Sequence, residues 1–258
     1  MQVKKRVFPA VITKITDLGS CRIFSFRDKQ CASQARAGMF LSVDCGETVM
    51  LRRPFAVMEV NGDDVSFLFK IVGKGTAALA ARKEGDVISI TGPLGMRFPD
   101  PVNRNQRAVL VAGGVGTPPI YFLAKELIAA GHEVYIFLGA SKKDDLLLVN
   151  ECKRLTKNVF IATDDGSYGE HGTVLNVLSK NFGLPLMSSA VYACGPVPML
   201  KALGEFTALN KLTAHFSLEA VMGCGYGVCL GCAVQTRAGY KLCCSDGPVF
   251  RADDVVFA

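Results

Sequence analysis

The C-terminal segment of the chain holds cysteines at a spacing that strongly limits how this part of the chain can fold. Cys224 and Cys229 are separated by four residues, Cys229 and Cys232 by two, and Cys244 follows after eleven more. This is the plant-type spacing of cysteines that hold a [2Fe–2S] cluster. Four thiolates have to converge on one inorganic core, so the chain around them must wrap tightly. The spacing therefore predicts a cysteine loop that binds a [2Fe–2S] cluster.

Glycines surround these cysteines and favour the same interpretation. They allow positive φ and close approach of the backbone, so that N–H groups can donate to the cluster sulfurs. The alternative is a structural zinc site, but such sites usually consist of two paired C-x₂₋₄-C elements. Here three cysteines share one loop and the fourth stands apart. The glycines concerned are Gly223, Gly225, Gly227 and Gly231.

The identity of the fourth ligand stays open at this point. Cys243 and Cys244 are adjacent, and neighbours in an extended segment point to opposite faces, so only one of them is expected to bind. The other five of the ten cysteines are scattered, and we expect them to be small apolar core residues.

The composition and charge of the chain argue against a disordered, a nucleic-acid-binding, a membrane-spanning and a secreted protein. Half of the 258 residues are hydrophobic and 20% are charged, so the chain can build a core and fits two compact domains with a small appendage. The net charge is +6 without a run of Lys or Arg, so we expect no nucleic-acid partner. We expect no membrane span and no signal peptide, because no apolar stretch is long enough. These features favour a cytoplasmic protein.

The first hundred residues have the pattern of short strands separated by turns. Five or six such strands predict a small antiparallel barrel, with one short helix at Thr76–Arg82. An opening strand contains Val7, Val11 and Ile15. The other candidate strands are Arg22–Phe26, Phe40–Asp44, Phe55–Val60, Val65–Ile71 and Val87–Thr91.

The pattern changes near Pro101, where buried strands begin to alternate with helices. This alternation predicts a parallel sheet of the nucleotide-binding type. Candidate strands are Ala108–Ala112, Glu133–Leu138, Val159–Thr163 and Ala190–Ala193, and candidate helices are Ile120–Ala130, Asp145–Thr156, Gly172–Ser179 and Val197–Leu209. The predicted domains are therefore a six-stranded barrel (1–101), an α/β domain (102–210) and a cysteine-loop subdomain (211–258).

Three strand-to-turn elements of the α/β half have features of a nucleotide site. Gly113, Gly114 and Gly116 precede Thr117, a candidate N-cap, and backbone amides at a helix start favour a pyrophosphate. The second element contains Cys194, Gly195, Pro196 and Met199, and the third contains Asp164 and Asp165. Each alone fits an ordinary βα turn, but three at successive strand ends indicate a ligand site.

The barrel half carries weaker signals. Arg52-Arg53-Pro54-Phe55-Ala56 places cations before an aromatic residue at a strand start. Gly73-Lys74-Gly75-Thr76 could hold phosphate on its N–H groups. Arg53 could equally be a surface cation, and Phe55 a core residue.

Taken in order, these motifs resemble the ferredoxin–NADP reductase superfamily over nearly the whole chain. The run from Ser217-Leu-Glu219 through the cysteines to Asp246-Gly-Pro resembles the electron-transfer subunits of class B dihydroorotate dehydrogenase. In that family the last cysteine stands two residues before Asp-Gly-Pro, which selects Cys244. The resemblance implies an FAD-binding barrel, an NAD-binding domain and a [2Fe–2S] subdomain.

The resemblance also implies which residues bind the cofactors. Arg53 would pair with the FAD diphosphate and Phe55 would line the flavin, while Ala56 departs from the usual Ser or Thr. NAD would lie over the first glycine turn, and Asp164 and Asp165 would disfavour a 2′-phosphate. The implied FAD residues are Arg53, Pro54, Phe55, Ala56, Lys70, Ile71, Val72, Gly75 and Thr76. Those for NAD are Gly113, Gly114, Gly116 and Thr117, and the residues implied to lie near the flavin are Cys194, Gly195, Pro196 and Met199.

The implied activity is electron transfer from a partner's FMN through the cluster and FAD to NAD⁺, in pyrimidine biosynthesis. Flavin has to stand between the cluster and nicotinamide, since it exchanges electrons singly or in pairs. We expect no catalytic acid or base here, and the partner would be an FMN-containing dihydroorotate dehydrogenase, two of each subunit. Alternatives are a subunit of a sulfide dehydrogenase or an NADPH:ferredoxin oxidoreductase, or a zinc-stabilised nucleotide-binding regulator.

Overall fold

The chain folds into two compact units, which are described separately. The computed structural model describes residues 6–46, 49–103, 106–181, 183 and 189–257. The barrel unit comprises Met1–Arg97, Ala220–Val234 and Lys241–Pro248, and the sheet unit comprises Phe98–Glu219, Gln235–Tyr240 and Val249–Ala258. All five clustered cysteines thus belong to the barrel unit. The predicted domain boundaries at 101/102 and 210/211 stay predictions.

Six antiparallel strands close the barrel in the order β1-β2-β5-β4-β3-β6, which confirms the predicted six-stranded barrel. Two short helices interrupt the strands: α1 (Lys29–Gln34) and α2 (Lys74–Ala80). The strands are β1 (Val7–Leu18), β2 (Cys21–Arg27), β3 (Phe40–Val43), β4 (Arg53–Asn61), β5 (Asp64–Lys70) and β6 (Val87–Leu94).

An aromatic cluster fills the barrel because every second residue of each strand points inward. Phe24, Phe26 and Phe67 have no exposed surface, and Phe69 is 2% exposed. Burying such a side chain stabilises the fold by about 1.5–3 kcal/mol. The helix α1 was not predicted from the sequence, because six residues are too few to show a helical period. Asp28 caps this helix by accepting the Cys31 N–H at 2.7 Å.

The sheet unit contains a seven-stranded sheet in the order β10-β9-β8-β7-β11-β12-β15. All neighbours are parallel except β12 and β15. Its strands are β7 (Ala108–Gly113), β8 (Val134–Ala140), β9 (Val159–Thr163), β10 (Glu170–His171), β11 (Ala190–Cys194), β12 (Ala214–Ser217) and β15 (Val249–Arg251). A separate two-stranded sheet consists of β13 (Ala233–Thr236) and β14 (Gly239–Leu242).

Among the described residues, four helices follow strands of this unit: α3 (Thr117–Ala129), α4 (Val149–Leu155), α5 (Val174–Asn181) and α6 (Val197–Leu209). The helix predicted at 145–156 starts later, because Leu148 has a φ of 55° and cannot continue a right-handed helix. Thr117 is the first helical residue rather than the cap, and its hydroxyl donates to the Gly114 carbonyl at 2.8 Å.

The strand order creates a switch point between β7 and β11. From β7 the chain proceeds to β8 and β9 on one side of the sheet, and then returns to β11 and β12 on the other. In open α/β sheets, ligands bind outside the carboxyl ends of the strands at such a point. Among the described residues, no helix is long and apolar enough to span a membrane.

Candidate cofactor and cluster sites

The cysteine loop brings its predicted ligands together as two pairs. The Cys224 thiol interacts with that of Cys229, and the Cys232 thiol with that of Cys244. Cys229 is exposed, whereas Cys232 and Cys244 are buried. Within the described ranges, no three Cys, His, Asp or Glu side chains are arranged to hold a single metal ion. A [2Fe–2S] cluster has two irons and four protein thiolates, so two thiol pairs fit its donor set.

Backbone amides converge on the first of these sulfurs. Cys224 Sγ accepts N–H groups from Tyr226 at 3.3 Å, Val228 at 3.4 Å and Cys229 at 3.5 Å. These donors, the Tyr226 N–H first, lower the pKa of Cys224 to about 6. Hydrogen bonds that stabilise a thiolate also stabilise a negatively charged cluster. Of the glycines predicted to supply such donors, Gly227 donates its N–H to the Cys244 sulfur, whereas the three donors to Cys224 Sγ belong to residues with side chains.

The adjacent Cys243 and Cys244 have different surroundings. The Cys244 N–H donates to Cys232 Sγ at 3.4 Å, whereas the Cys243 N–H donates to the Cys232 carbonyl at 3.0 Å. Burial, reinforced by the Cys232 thiol, raises the pKa of Cys244 to about 12. Metal binding would have to displace that proton. The contact with Cys232 favours Cys244 as the fourth ligand, and the assignment stays a prediction.

Two consecutive arginines of the barrel unit have different roles. Arg52 donates to the Ser42 carbonyl and the Ser89 carbonyl at 3.1 Å each, and to Ser89 Oγ at 2.5 Å, so it ties β3 to β6. The Arg53 guanidinium lies beside Gly75, where a Cβ would stand 3.3 Å from its Nε. The structure thus places a cation at the first turn of α2, where N–H groups have no acceptor within the helix.

The turn before α2 uses part of its own hydrogen-bonding capacity. Thr76 Oγ1 accepts the N–H groups of Val72 at 2.9 Å and Gly73 at 3.1 Å. The expectation that the whole Gly73–Thr76 run could hold phosphate on its N–H groups is therefore corrected for Gly73. Thr76 is buried and shapes the turn.

The remaining FAD candidates lie on β4 and β5 or directly after them. Phe55 is half-buried, and its ring stacks on Phe67 at 5.4 Å with an interplanar angle of 11°. It is therefore a core residue with part of its surface open. Ile71 is 36% exposed and Val72 76%, an apolar surface beside the phosphate turn. Pro54, Ala56 and Lys70 are half-buried.

At the switch point of the sheet unit, two turns pack against each other without space for side chains. A Cβ at Gly113 would be 2.7 Å from Pro196 Cδ, and one at Gly195 would be 2.6 Å from Met199 Cε. A Cβ at Gly116 would be 2.2 Å from the Cys194 carbonyl oxygen. The structure thus brings the two predicted NAD elements together at the carboxyl ends of β7 and β11.

The third predicted element lies farther along the sheet, at the end of β9. Asp165 accepts the N–H of Ser167 at 2.9 Å and its hydroxyl at 2.6 Å, and these bonds lower the pKa of Asp165. Its carboxylate therefore stabilises its own turn. The Asp164 N–H donates to the Ala140 carbonyl at 3.0 Å, which links this turn to the end of β8.

Two family descriptions match the chain, both from residue 110 onward. Residues 219–256 match the family described as the iron-sulfur cluster binding domain of dihydroorotate dehydrogenase B. Residues 110–205 match the family described as the oxidoreductase NAD-binding domain. The first match identifies an iron–sulfur domain rather than a zinc site.

Curated relatives cover most of the chain. A dihydroorotate dehydrogenase B (NAD(+)) electron transfer subunit from Caldanaerobacter subterraneus subsp. tengcongensis is 40% identical, covering 85% of this chain and 87% of the relative. The subunit of the same name from Geobacillus thermodenitrificans is 39% identical, covering 87% and 88%.

Solved structures share the fold. An NADH-dependent reduced ferredoxin-NADP oxidoreductase structure aligns with a TM-score of 0.86 and 31% identity, covering 96% of this chain and 89% of that chain. A flavohemoglobin from Malassezia yamatoensis aligns with a TM-score of 0.66 and 16% identity, covering 80% of this chain and 57% of that chain, which shows the fold alone.

Proposed function

This chain belongs to the family of dihydroorotate dehydrogenase B electron transfer subunits, and from that premise we propose that it passes electrons from a dihydroorotate-oxidising partner to NAD⁺. The reaction would serve pyrimidine biosynthesis. Three groups share the chemistry when bound: the cluster transfers single electrons, nicotinamide accepts a hydride, and FAD connects the two.

The two thiol pairs are the observation that carries the proposal. Cys224 and Cys229 would bind one iron of the cluster, and Cys232 and Cys244 would bind the other. The three N–H groups on Cys224 Sγ would offset the negative charge of the bound cluster.

Arg53 and the first turn of α2 would hold the FAD diphosphate. The cation is already beside Gly75, and the turn is fixed by Thr76. The exposed surface of Ile71 and Val72 would be covered by the apolar parts of the cofactor. Ala56 offers no hydroxyl, so a backbone N–H would have to meet the flavin ring at this position.

The glycine turns at the switch point would hold NAD. Gly113, Gly114, Gly116 and Thr117 would accommodate its pyrophosphate, and Cys194, Gly195, Pro196 and Met199 would complete the cofactor-binding residues of this turn region. Asp164 and Asp165 would disfavour a 2′-phosphate, which supports NAD over NADP.

The proposed partner is an FMN-containing dihydroorotate dehydrogenase, and the proposed complex contains two copies of each subunit. Hydride transfer requires no acid or base from this chain, and we assign none. Cysteines that bind a cluster have to stay reduced, so we place the protein in a reducing compartment, the cytoplasm.

Reconstitution with the partner tests the proposal. The catalytic subunit from the same organism, loaded with FMN, should reduce NAD⁺ with dihydroorotate only when this chain is added. If NAD⁺ reduction is equally slow with and without this chain, although both proteins hold their cofactors, the proposed function is wrong.

A second candidate is suggested by the ferredoxin-NADP oxidoreductase structure, which is 31% identical. In that case the electrons would come from or go to a ferredoxin rather than a flavin subunit. Reduced ferredoxin would then support NAD(P)⁺ reduction by the purified chain in the absence of any dihydroorotate-oxidising subunit.

A further inference from the structure

Tyr226 lies between the first two cysteines of the loop, and both its backbone N–H and its hydroxyl form hydrogen bonds. Its backbone N–H donates to Cys224 Sγ at 3.3 Å. Its hydroxyl donates to Thr91 Oγ1 on β6 at 3.4 Å, a long hydrogen bond. One residue therefore connects a cluster ligand with the wall of the barrel.

Thr91, which accepts this hydrogen bond, is held in place by the barrel. Thr91 is 1% exposed and lies within the ladder of β6, paired with Val7 on one side and Ser42 on the other. Residues in the middle of a closed barrel have little freedom to move. A hydroxyl held there is a fixed point for the loop.

The loop approaches the barrel closely at Gly225, next to Tyr226. Gly225 has a φ of +75°, and a Cβ there would be 3.5 Å from Leu94 and 3.8 Å from Ser42 Oγ. Farther along the loop, Val228 is 78% exposed and Leu230 63%. The Gly225–Tyr226 step is thus where the cysteine loop rests on the barrel wall.

This place is near the residues assigned to FAD. Ser42 on β3 pairs with Thr91 on β6 and with Pro54 on β4, so Thr91 and Pro54 are two strand spacings apart. Two spacings amount to about 10 Å. The loop therefore rests on the same row of residues that contains the Arg53-Pro54 motif.

We propose that Tyr226 is a positioning residue, which ties the Cys224 ligand to the barrel wall and so fixes the cluster relative to the FAD site. The inference rests on the proposed function, because it requires both groups to be bound. Loss of the hydroxyl would remove one attachment of the loop to β6 and weaken the N–H···S bond to Cys224.

Tyr226→Phe tests this role, because it removes only the hydroxyl. Release of iron from the purified holoprotein to bathophenanthroline should become about threefold faster, the size expected for one weak hydrogen bond. The midpoint potential of the cluster should become more negative, because a longer N–H···S bond stabilises the reduced cluster less. Tyr240→Phe is the matched control, since Tyr240 is 75% exposed on β14.

Thr91→Val removes the other partner and completes a double-mutant cycle. Thr91→Val should reproduce the effect of Tyr226→Phe, the double variant should add nothing further, and Thr91→Ser should behave as wild type. Iron release and potential unchanged in Tyr226→Phe, or effects that multiply in the double variant, would overturn the role of Tyr226. A wild-type protein without iron or FAD would instead contradict the proposed function.

Discussion

The cysteine loop of the barrel unit and the glycine turns of the sheet unit are both proposed as binding sites, and they are built in opposite ways. In the loop, side chains carry the chemistry: the thiols form two interacting pairs, while Val228 and Leu230 beside them are exposed. In the turns the missing side chains matter, because a Cβ at Gly116 would stand 2.2 Å from a carbonyl oxygen. Substitutions in the loop should therefore lower cluster binding, and substitutions in the turns should lower the free energy of unfolding.

The largest effect is expected at the fourth cysteine. Cys244→Ser should abolish cluster binding, because the pair with Cys232 is lost, and iron per chain should fall close to zero. Iron analysis and the visible spectrum measure this. Cys243→Ser is the matched control and should keep its iron. The reverse pattern would assign the ligand to Cys243.

The next effect tests the other side of the comparison. Gly116→Ala should lower the free energy of unfolding by about 3 kcal/mol and weaken NADH binding, since the methyl group meets the Cys194 backbone rather than a movable side chain.

Gly114→Ala is the control for that substitution. Gly114 has a φ of +51° but no atom within 4 Å of its Cβ position, so the cost should be only about 1 kcal/mol of backbone strain. Urea denaturation measures both. Equal losses at the two positions would show that strain, and not the close packing of the turns, governs this region.

A smaller effect is expected in the barrel unit, where Arg53 and the turn before α2 are proposed to hold FAD together. Arg53→Gln should weaken FAD binding about tenfold, because one charge-assisted contact with the diphosphate is lost. Equilibrium titration of the apoprotein with FAD measures it. Arg27→Gln is the control, as Arg27 forms an exposed ion pair with Asp64. An unchanged FAD affinity in Arg53→Gln would remove Arg53 from the site.

The smallest effect concerns His215 on β12, which stacks on Tyr192 at 5.9 Å. Burial, assisted by Arg251, lowers the pKa of His215 below its ordinary 6.5, against the opposing charges of Asp253 and Asp254. The unfolded chain then binds the proton more readily, so stability should fall as pH decreases from 6.5 through the folded pKa. His215→Gln should flatten this slope in denaturation measured between pH 5 and 7. A slope identical to that of wild type would exclude His215 as its source.

The sequence predicted the barrel strands well, because alternating apolar residues in short runs specify both a strand and its inward face. It placed helices less accurately: the start of α4 depends on the left-handed Leu148, which no periodicity predicts. The strand β12 was missed, since its four residues precede the cysteine-rich segment and carry no turn signal.

The candidate site shows the same division. The cysteines could be named from the sequence because their chemistry is specific and their spacing is visible, whereas Arg53 could be named only through the family resemblance. The different roles of Arg52 and Arg53 could not, since they depend on which strand each guanidinium faces. The Tyr226–Thr91 contact joins residues 135 positions apart and requires the closed barrel to be seen.

A visible absorption spectrum of the anaerobically purified protein, before and after addition of NADH, tests the central claim most directly. We expect flavin bands with broad absorption beyond the flavin edge, bleached by NADH, together with two irons and one FAD per chain. A colourless protein that contains zinc and cannot be loaded with FAD or with iron and sulfide would contradict the account.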